Sequence, residues 1–345
     1  MIARMISWAE KGILPDSLIR LGIRRFQQRR LAWAKQKTPE EVEKHHQKWV
    51  ETLKKSPIAL VPEKANEQHY EVPASFFELI LGKNLKYSSG YWPNGVHSLD
   101  ESEKAMLDLY CQRAQLRDGQ DILDLGCGWG SLTLHLSKKY PGASITAVSN
   151  SQDQHQYIKK KCKENGLDNV QMITADMNAF SIERKFDRVV SIEMFEHMRN
   201  YKALLCRIAA WLREEGKLFI HIFSHSNLVY PFEDTGSADW MGRMFFSGGL
   251  MPSHQLLLYF QDDLSINKTW RLGGEHYQHT SAAWLTKLEL NKKYVLELFK
   301  NSYGNEESYI WLQRWRIFFM ACEELFGFNQ GTEWGVSHYL FQKNT

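Results

Sequence analysis

Two carboxylates and an imidazole fall within five residues in Ser191-Ile-Glu193-Met-Phe-Glu196-His197-Met198. An aliphatic amine is mostly ammonium at neutral pH and has no lone pair with which to attack an electrophile, so it must first lose a proton. A histidine with a pKa near ~6.5 can take that proton, while neighbouring carboxylates attract the cation and orient the ring. The cluster therefore suits chemistry on a cationic amine. A plainer reading makes Glu193 and Glu196 acids at a helix N-terminus, satisfying orphan amides. Metal binding by Glu196 and His197 is disfavoured, because adjacent helical residues point to different sides and no third ligand is in place.

The cluster needs a rigid support, and the residues before it supply one. Phe186-Asp-Arg-Val-Val-Ser-Ile-Glu193 reads as a strand whose functional end is Glu193. It is the fourth of a series. The first, Ile122-Leu-Asp-Leu, carries Asp124 and runs into three alternate glycines, Gly126, Gly128 and Gly130. Residues lacking Cβ let a turn take positive φ and let a ligand approach the backbone. A helix over Ser131 to Tyr140 and a second strand over Ala143 to Val148 complete a βαβ unit. The turn is Gly-x-Gly-x-Gly, where a dinucleotide fold would show Gly-x-Gly-x-x-Gly. It reads as the S-adenosylmethionine loop of a class I methyltransferase. Gly166 to Met177 reads as a third strand ending at Asp176, where such enzymes meet the adenine. A sulfonium methyl donor needs little beyond in-line positioning in a dry pocket. The expected fold is α/β and Rossmann-like: a mostly parallel seven-stranded sheet with helices on both faces, an N-terminal helical segment and a substrate-binding cap.

Composition narrows the class. The 345 residues contain 43% hydrophobic side chains and a formal charge of only +3, so no polyanion-binding signature is present and no nucleic-acid partner is expected. The five cysteines, Cys111, Cys127, Cys162, Cys206 and Cys322, are odd in number and lack Cys-x-x-Cys spacing, which argues against a disulfide framework and a zinc site. No metal is expected. The absence of a long apolar run and of a signal-peptide core leads to an expectation of cytoplasmic location without stable membrane association.

Residues 3 to 55 show helical periodicity with a basic cluster at Arg24, Arg25, Arg29 and Arg30, read as a solvated face; contact with a membrane surface is the lesser reading. A break at Ser56 to Pro62 precedes a helical block over Ala74 to Leu81 and the irregular Tyr87-Ser-Ser-Gly-Tyr-Trp-Pro. The pattern divides the chain into an N-terminal helical segment over the active site (1–100), a cofactor-binding core (101–225), a substrate-binding insertion or cap (226–330) and a final core strand (331–345), placed at Val336 to Gln342. Twelve tryptophans are unusually many. Trp311, Trp315, Phe318 and Phe319 lie on one face of a helix from about Tyr309 to Leu325, as core packing requires. Other aromatics, Tyr91, Trp92, Phe245, Phe246, Tyr259 and Trp334, are candidate walls for a flat or cationic substrate.

These residues carry a resemblance. Leu85-Lys-Tyr-Ser-Ser-Gly-Tyr-Trp, Leu123-Asp-Leu-Gly-Cys-Gly-Trp-Gly, Phe195-Glu-His-Met-Arg-Asn-Tyr, Gly248-Gly-Leu-Met-Pro-Ser and Leu258-Tyr-Phe-Gln-Asp-Asp resemble the plant alkaloid N-methyltransferases, the coclaurine, tetrahydroprotoberberine and pavine group, which are similar to cyclopropane-fatty-acid synthases. The resemblance covers about residues 15 to 345. It implies an enzyme that uses S-adenosyl-L-methionine, releases S-adenosyl-L-homocysteine and methylates an aromatic amine of the benzylisoquinoline or phenylalkylamine type. By the same resemblance Tyr87 and Ser88 lie near the methionine part of the cofactor, Gly126 and Gly128 in its turn, Asn150 and Gln154 at the ribose, Asp176 and Met177 at the adenine, and Ile192 beside the ring. Glu196 and His197 match the catalytic pair, with Glu193 near them and Glu71 a second carboxylate at the substrate. A homodimer is in keeping with the group. Asn150 departs from the Asp or Glu that usually ends the second strand, yet an amide can still donate and accept.

The related lipid enzymes keep a bicarbonate in the position of the base, and the resemblance aligns their cysteine with Cys322 and surrounding positions with His221 and Tyr259. Methyl transfer to the double bond of a lipid is thus the alternative reading. The carboxylate at Glu71 serves a cation and not an alkene, which favours the amine. Cys322 reads as a core thiol, since methyl transfer to nitrogen needs no covalent intermediate. A scaffold with a degenerate cofactor domain is the non-enzymatic reading, and the intact turn speaks against it.

Overall fold

The apolar runs of the sequence become adjacent strands. A computed structural model describes residues 2–60, 72–236 and 239–344. In it β1 (Asp121–Leu125), β2 (Ser144–Ser149), β3 (Val170–Thr174), β4 (Phe186–Ile192) and β5 (Leu212–His225) pair in parallel. Two short strands, β6 (Tyr230–Pro231) and β7 (Leu250–Met251), make a separate ladder. β8 (Leu264–Gly273) and β9 (Trp334–Lys343) complete the main sheet, with β9 antiparallel to both of its neighbours. The order β3-β2-β1-β4-β5-β9-β8 gives the seven-stranded, mostly parallel sheet expected from the sequence.

Strand limits follow from local chemistry. β4 stops at Ile192 rather than Glu193, because Glu193 takes φ 46° and cannot continue a pleated strand. The strand read over Gly166 to Met177 shortens to Val170–Thr174, since Gly166 caps the preceding helix in the left-handed conformation at φ 63°. β8 lies inside the stretch assigned to the cap, so residues 226–330 also contribute the sheet's outer strand.

The helices are α1 (Ile2–Glu10), α2 (Asp16–Lys35), α3 (Pro39–Lys55), α4 (Ala74–Ile80), α5 (Leu99–Arg113), α6 (Ser131–Lys139), α7 (Gln152–Asn165), α8 (Tyr201–Trp211), α9 (Trp240–Met244), α10 (Glu275–Leu290) and α11 (Lys292–Phe326). Capping boxes start α3 at Thr38 with Glu41 and α5 at Ser98 with Glu101. α11 extends well beyond the helix read from Tyr309 to Leu325, and Gly304 (φ 79°) kinks it. Trp315, Phe318 and Phe319 are buried as the stripe predicts, while Trp311 stacks on Tyr303 at 4.8 Å.

The N-terminal helices are pinned by charge. Arg20 on α2 donates to Glu323 (2.7 Å) and Glu324 (2.8 Å) on α11, and Arg314 donates to Glu10 of α1 (3.0 Å). Within the basic cluster, Arg24 pairs with Glu324 and Arg30 lies 3.8 Å from the centre of the Tyr230 ring. Part of the face read as solvated therefore holds α2 in place. Among the described residues no helix is long and apolar enough to cross a membrane, and no group of His, Cys, Asp and Glu could hold a metal ion.

Candidate active site

Because β1, β2, β3 and β4 run in parallel, their carboxyl ends open on one edge, where open α/β sheets bind ligands. The glycine turn leaves β1 there. Gly126 and Gly128 take φ 84° and 54°, and the Gly126 and Cys127 amides both donate to the Val148 carbonyl at 3.0 Å, tying the turn to β2. A Cβ on Gly126 would lie 2.7 Å from Met194 Cγ; one on Gly128 would meet nothing within 4 Å and would protrude into the cleft. Asp124 is buried and accepts from the Thr133 hydroxyl at 2.6 Å, which fastens the start of α6 to β1. Burial pushes its pKa up to about 6 against the Thr133 hydrogen bond.

An outer cleft is lined by Gly126, Gly128, Asn150, Gln154, Asp176 and Met177 together with Glu193 and His197. The Gln154 amide oxygen accepts from Ser149 Oγ at 2.6 Å, and its buried Nε2 has no partner among the described residues. Asp176 is exposed at the cleft, and Met177 is buried. An inner cavity reached past the same glycines is lined by Tyr87, Ser88, Asp124, Ile192 and, again, Glu193. Each position assigned to the cofactor lines one cavity or the other.

Glu193 sits where the two cavities meet. Its Oε1 accepts from the Ser89 amide (3.3 Å) and pairs with His221 Nε2 (3.0 Å), and its Oε2 accepts from the Tyr277 hydroxyl (2.8 Å). Burial raises the carboxyl to about 7, opposed by the ammonium of Lys86. Lys86 is itself buried, donating to Ser88 Oγ and to the Ser89 carbonyl, and burial lowers it to about 8. His221 is held well below the usual imidazole range by burial and by Lys86, so it meets Glu193 as a neutral ring and not as a salt-bridge partner.

Glu196 and His197 lie on a single 3-10 turn, Phe195–His197, and face different ways. His197 lines the cleft, stacks on Phe246 with centroids 5.5 Å apart and planes 3° apart, and is lowered to about 4 by burial. Glu196 is fully buried, its Oε2 has no partner among the described residues, and burial and repulsion from Glu193 raise it well above the carboxylate range. It lines neither cavity. The pair that faces the cleft is Glu193 with His197, spaced i, i+4, and Glu196 stands behind as a neutral acid.

The candidate substrate positions divide. Phe246 is brought in through its stack on His197. Tyr91 and Trp92 turn to α10, Tyr91 against the His276 ring (4.8 Å) and Trp92 donating from its indole to Thr280 (2.9 Å). Tyr259 donates to Glu43 of α3 at 2.8 Å, and Trp334 is buried with its indole donating to Tyr230 at 2.9 Å. None of these four lines either cavity, and the polar ends of Trp92, Tyr259 and Trp334 are satisfied elsewhere. Glu71 lies outside the described residues. Lys86, Ser89 and Tyr277 carry no role in the sequence reading, and no local pattern around them in the sequence marks one. Cys322 is half-buried against the core rather than within it, and burial raises its thiol.

The family described as mycolic acid cyclopropane synthetase matches residues 61–332. The (S)-coclaurine N-methyltransferase of Thalictrum flavum subsp. glaucum is 38% identical over 347 residues, covering 99% of this chain and 96% of that enzyme. The pavine N-methyltransferase of the same plant is 37% identical, with 99% and 97% covered. A coclaurine N-methyltransferase solved with N-methylheliamine and SAH superposes with a TM-score of 0.96 at 39% identity, covering 99% of both chains. The chain belongs to the mycolic acid cyclopropane synthetase family and, at 37–39% identity along nearly its whole length, to the coclaurine and pavine N-methyltransferase group.

Proposed function

We propose that the protein is an S-adenosylmethionine-dependent N-methyltransferase of aromatic alkaloid amines of the benzylisoquinoline type, with Glu193 as base and His197 as its partner. One observation carries this reading: Glu193 and His197, both half-buried, line the same cleft beside a glycine turn whose Gly128 is open to it. The named relatives and the N-methylheliamine complex support the substrate class.

The residues fit the cofactor. Gly126 and Gly128 leave room at the backbone, and the orphan Gln154 Nε2 offers a donor to a ribose hydroxyl beside Asn150. Asp176 and Met177 would take the adenine, and Tyr87, Ser88 and Ile192 the inner part. When bound, S-adenosylmethionine supplies a methyl group on a cationic sulfur that transfers to a free amine lone pair.

The protein's task is to free that lone pair. The ionised Glu193 draws an ammonium into a desolvated site and accepts its proton. With pKa values of about 7 and about 4, Glu193 is the stronger base and His197 the weaker. Neutral His197 accepts a hydrogen bond from the amine and aims it, while its stack on Phe246 fixes the ring. Ser89, His221 and Tyr277 hold the carboxylate still.

Mass spectrometry with S-adenosylmethionine and a panel of tetrahydroisoquinolines, protoberberines, phenylalkylamines and unsaturated phospholipids tests the reading. A methyl gained on an amine upholds it. A methylene gained on lipid alone replaces it with the lipid reading that the family match favours.

A further inference from the structure

His221 of β5 and His338 of β9 are cross-strand partners, both fully buried, with rings 4.8 Å apart. Burial and the nearby cations Lys86 and Arg113 hold both imidazoles well below their usual range, so both are neutral. A neutral imidazole has one donor nitrogen and one acceptor, and only its neighbours decide which is which. Here a neighbour at one end sets both rings, in the same sense that an ionised Glu193 at the other end requires. Arg113, on the last turn of α5, places Nη1 2.7 Å from His338 Nδ1. A guanidinium can only donate. His338 Nδ1 is therefore an acceptor, and its proton is on Nε2. That nitrogen lies 2.8 Å from His221 Nδ1, which also faces the Tyr110 hydroxyl at 2.9 Å. His221 Nδ1 accepts in turn, and its own proton sits on Nε2, 3.0 Å from Glu193 Oε1.

We infer that Arg113 and His338 are positioning residues of the reaction: the guanidinium fixes the tautomers of two histidines so that His221 presents a donor to the Glu193 carboxylate. The catalytic consequence rests on the function proposed above. Without Arg113 only the ionised Glu193 holds the proton on His221 Nε2, so the two rings are free to reverse when Glu193 is protonated, and a His221 acceptor would favour that protonated form. Apart from the Tyr110 hydroxyl on α5, which faces His221 Nδ1 and can donate or accept there, the other groups around Glu193 act regardless of that switch. They are Lys86 and the Ser89 amide before α5, and Glu196 and His197 after β4. Tyr277 on α10 and Cys322 on α11 close the far side. His338 itself is faced by Arg113, Tyr110 and Lys86.

Two measurements test this on the intact enzyme. Nitrogen-15 NMR of the histidine rings, without any amine, is expected to find His221 and His338 both protonated on Nε2, and Arg113→Met to change the His221 pattern. The pH profile of kcat/KM is expected to move its acidic limb upward by about one unit in Arg113→Met and His338→Phe, a loss of about tenfold below the inflection, with Arg113→Lys restoring most of the shift. His221 protonated on Nδ1 in the native enzyme would overturn the inference. So would variants that lose activity uniformly with pH and are not rescued by lysine, as a merely structural role predicts. The NMR result stands whether or not the amine is the substrate, so failure of the relay and failure of the proposed function are separable.

Discussion

Glu193 combines properties that rarely coincide in a carboxylate: a left-handed backbone, three hydrogen-bond donors and near-total burial beside a lysine. The donors and the lysine favour the ionised form, burial opposes it, and burial wins, leaving the group at about 7. Replacing it by glutamine keeps size and removes the base, so Glu193→Gln is expected to lower kcat by about 10²–10⁴-fold with cofactor affinity by calorimetry unchanged. His197→Ala removes orientation rather than the base and is expected to cost roughly 10–100-fold. The nature of the cluster was legible in Ser191 to Met198, but which of its members face the cleft was not. The sequence sets Glu196 and His197 side by side, whereas the cleft is lined by Glu193 and His197, spaced i, i+4. What decides between them, φ 46° at Glu193 followed by a 3-10 turn, has no local sequence mark.

At the scale of elements, the β1 turn was the most legible part, because its requirement is steric and glycine answers it. Its two cleft glycines do different things, and substitution should separate them. Gly126→Ala combines positive φ with a 2.7 Å contact to Met194 and is expected to destabilise the fold by about 1–2 kcal/mol or more in thermal unfolding. Gly128→Ala has open space, so its stability cost is the backbone penalty alone, and the larger effect should be a loss of S-adenosylmethionine affinity in calorimetry. Other elements left weaker traces. β8, Leu-Ser-Ile-Asn-Lys-Thr-Trp-Arg-Leu-Gly, is a half-exposed edge strand with many polar residues, so it lacks the apolar run that marked β1, β2 and β4. Lys86, His221 and Tyr277 reach one carboxylate from three distant segments, a convergence that only the sheet order and the packing of α10 create.

Over the whole molecule, an aromatic seam joins the helical layer to the site. Phe76 of α4 meets Trp315 of α11 at 4.7 Å, Trp315 meets Phe245 at 5.1 Å, and Phe245 stacks on Phe318 at 4.4 Å next to the Phe246 that holds His197. Of the twelve tryptophans, six among the described residues, Trp315 included, are buried and pack the interior, in line with the stripe on α11, and of the aromatics read as pocket walls Phe246 stacks on His197 itself. Trp315→Ala is expected to cost about 3–5 kcal/mol in denaturant unfolding and to lower activity through His197, while Trp315→Phe should retain most of both. The ion pairs from α1 and α2 to α11 secure the same layer from outside, and each contributes less because it is partly solvated.

The most direct measurement is the pH dependence of kcat/KM for methylation of a tetrahydroisoquinoline by the native enzyme, Glu193→Gln and His197→Ala. Glu193 must be ionised to accept a proton, so activity should rise with pH through an inflection near 7 and fall away below it. That limb should persist at reduced rate in His197→Ala and disappear in Glu193→Gln. A Glu193→Gln enzyme that keeps the native rate, or keeps the inflection, would contradict the assignment of Glu193 as the base.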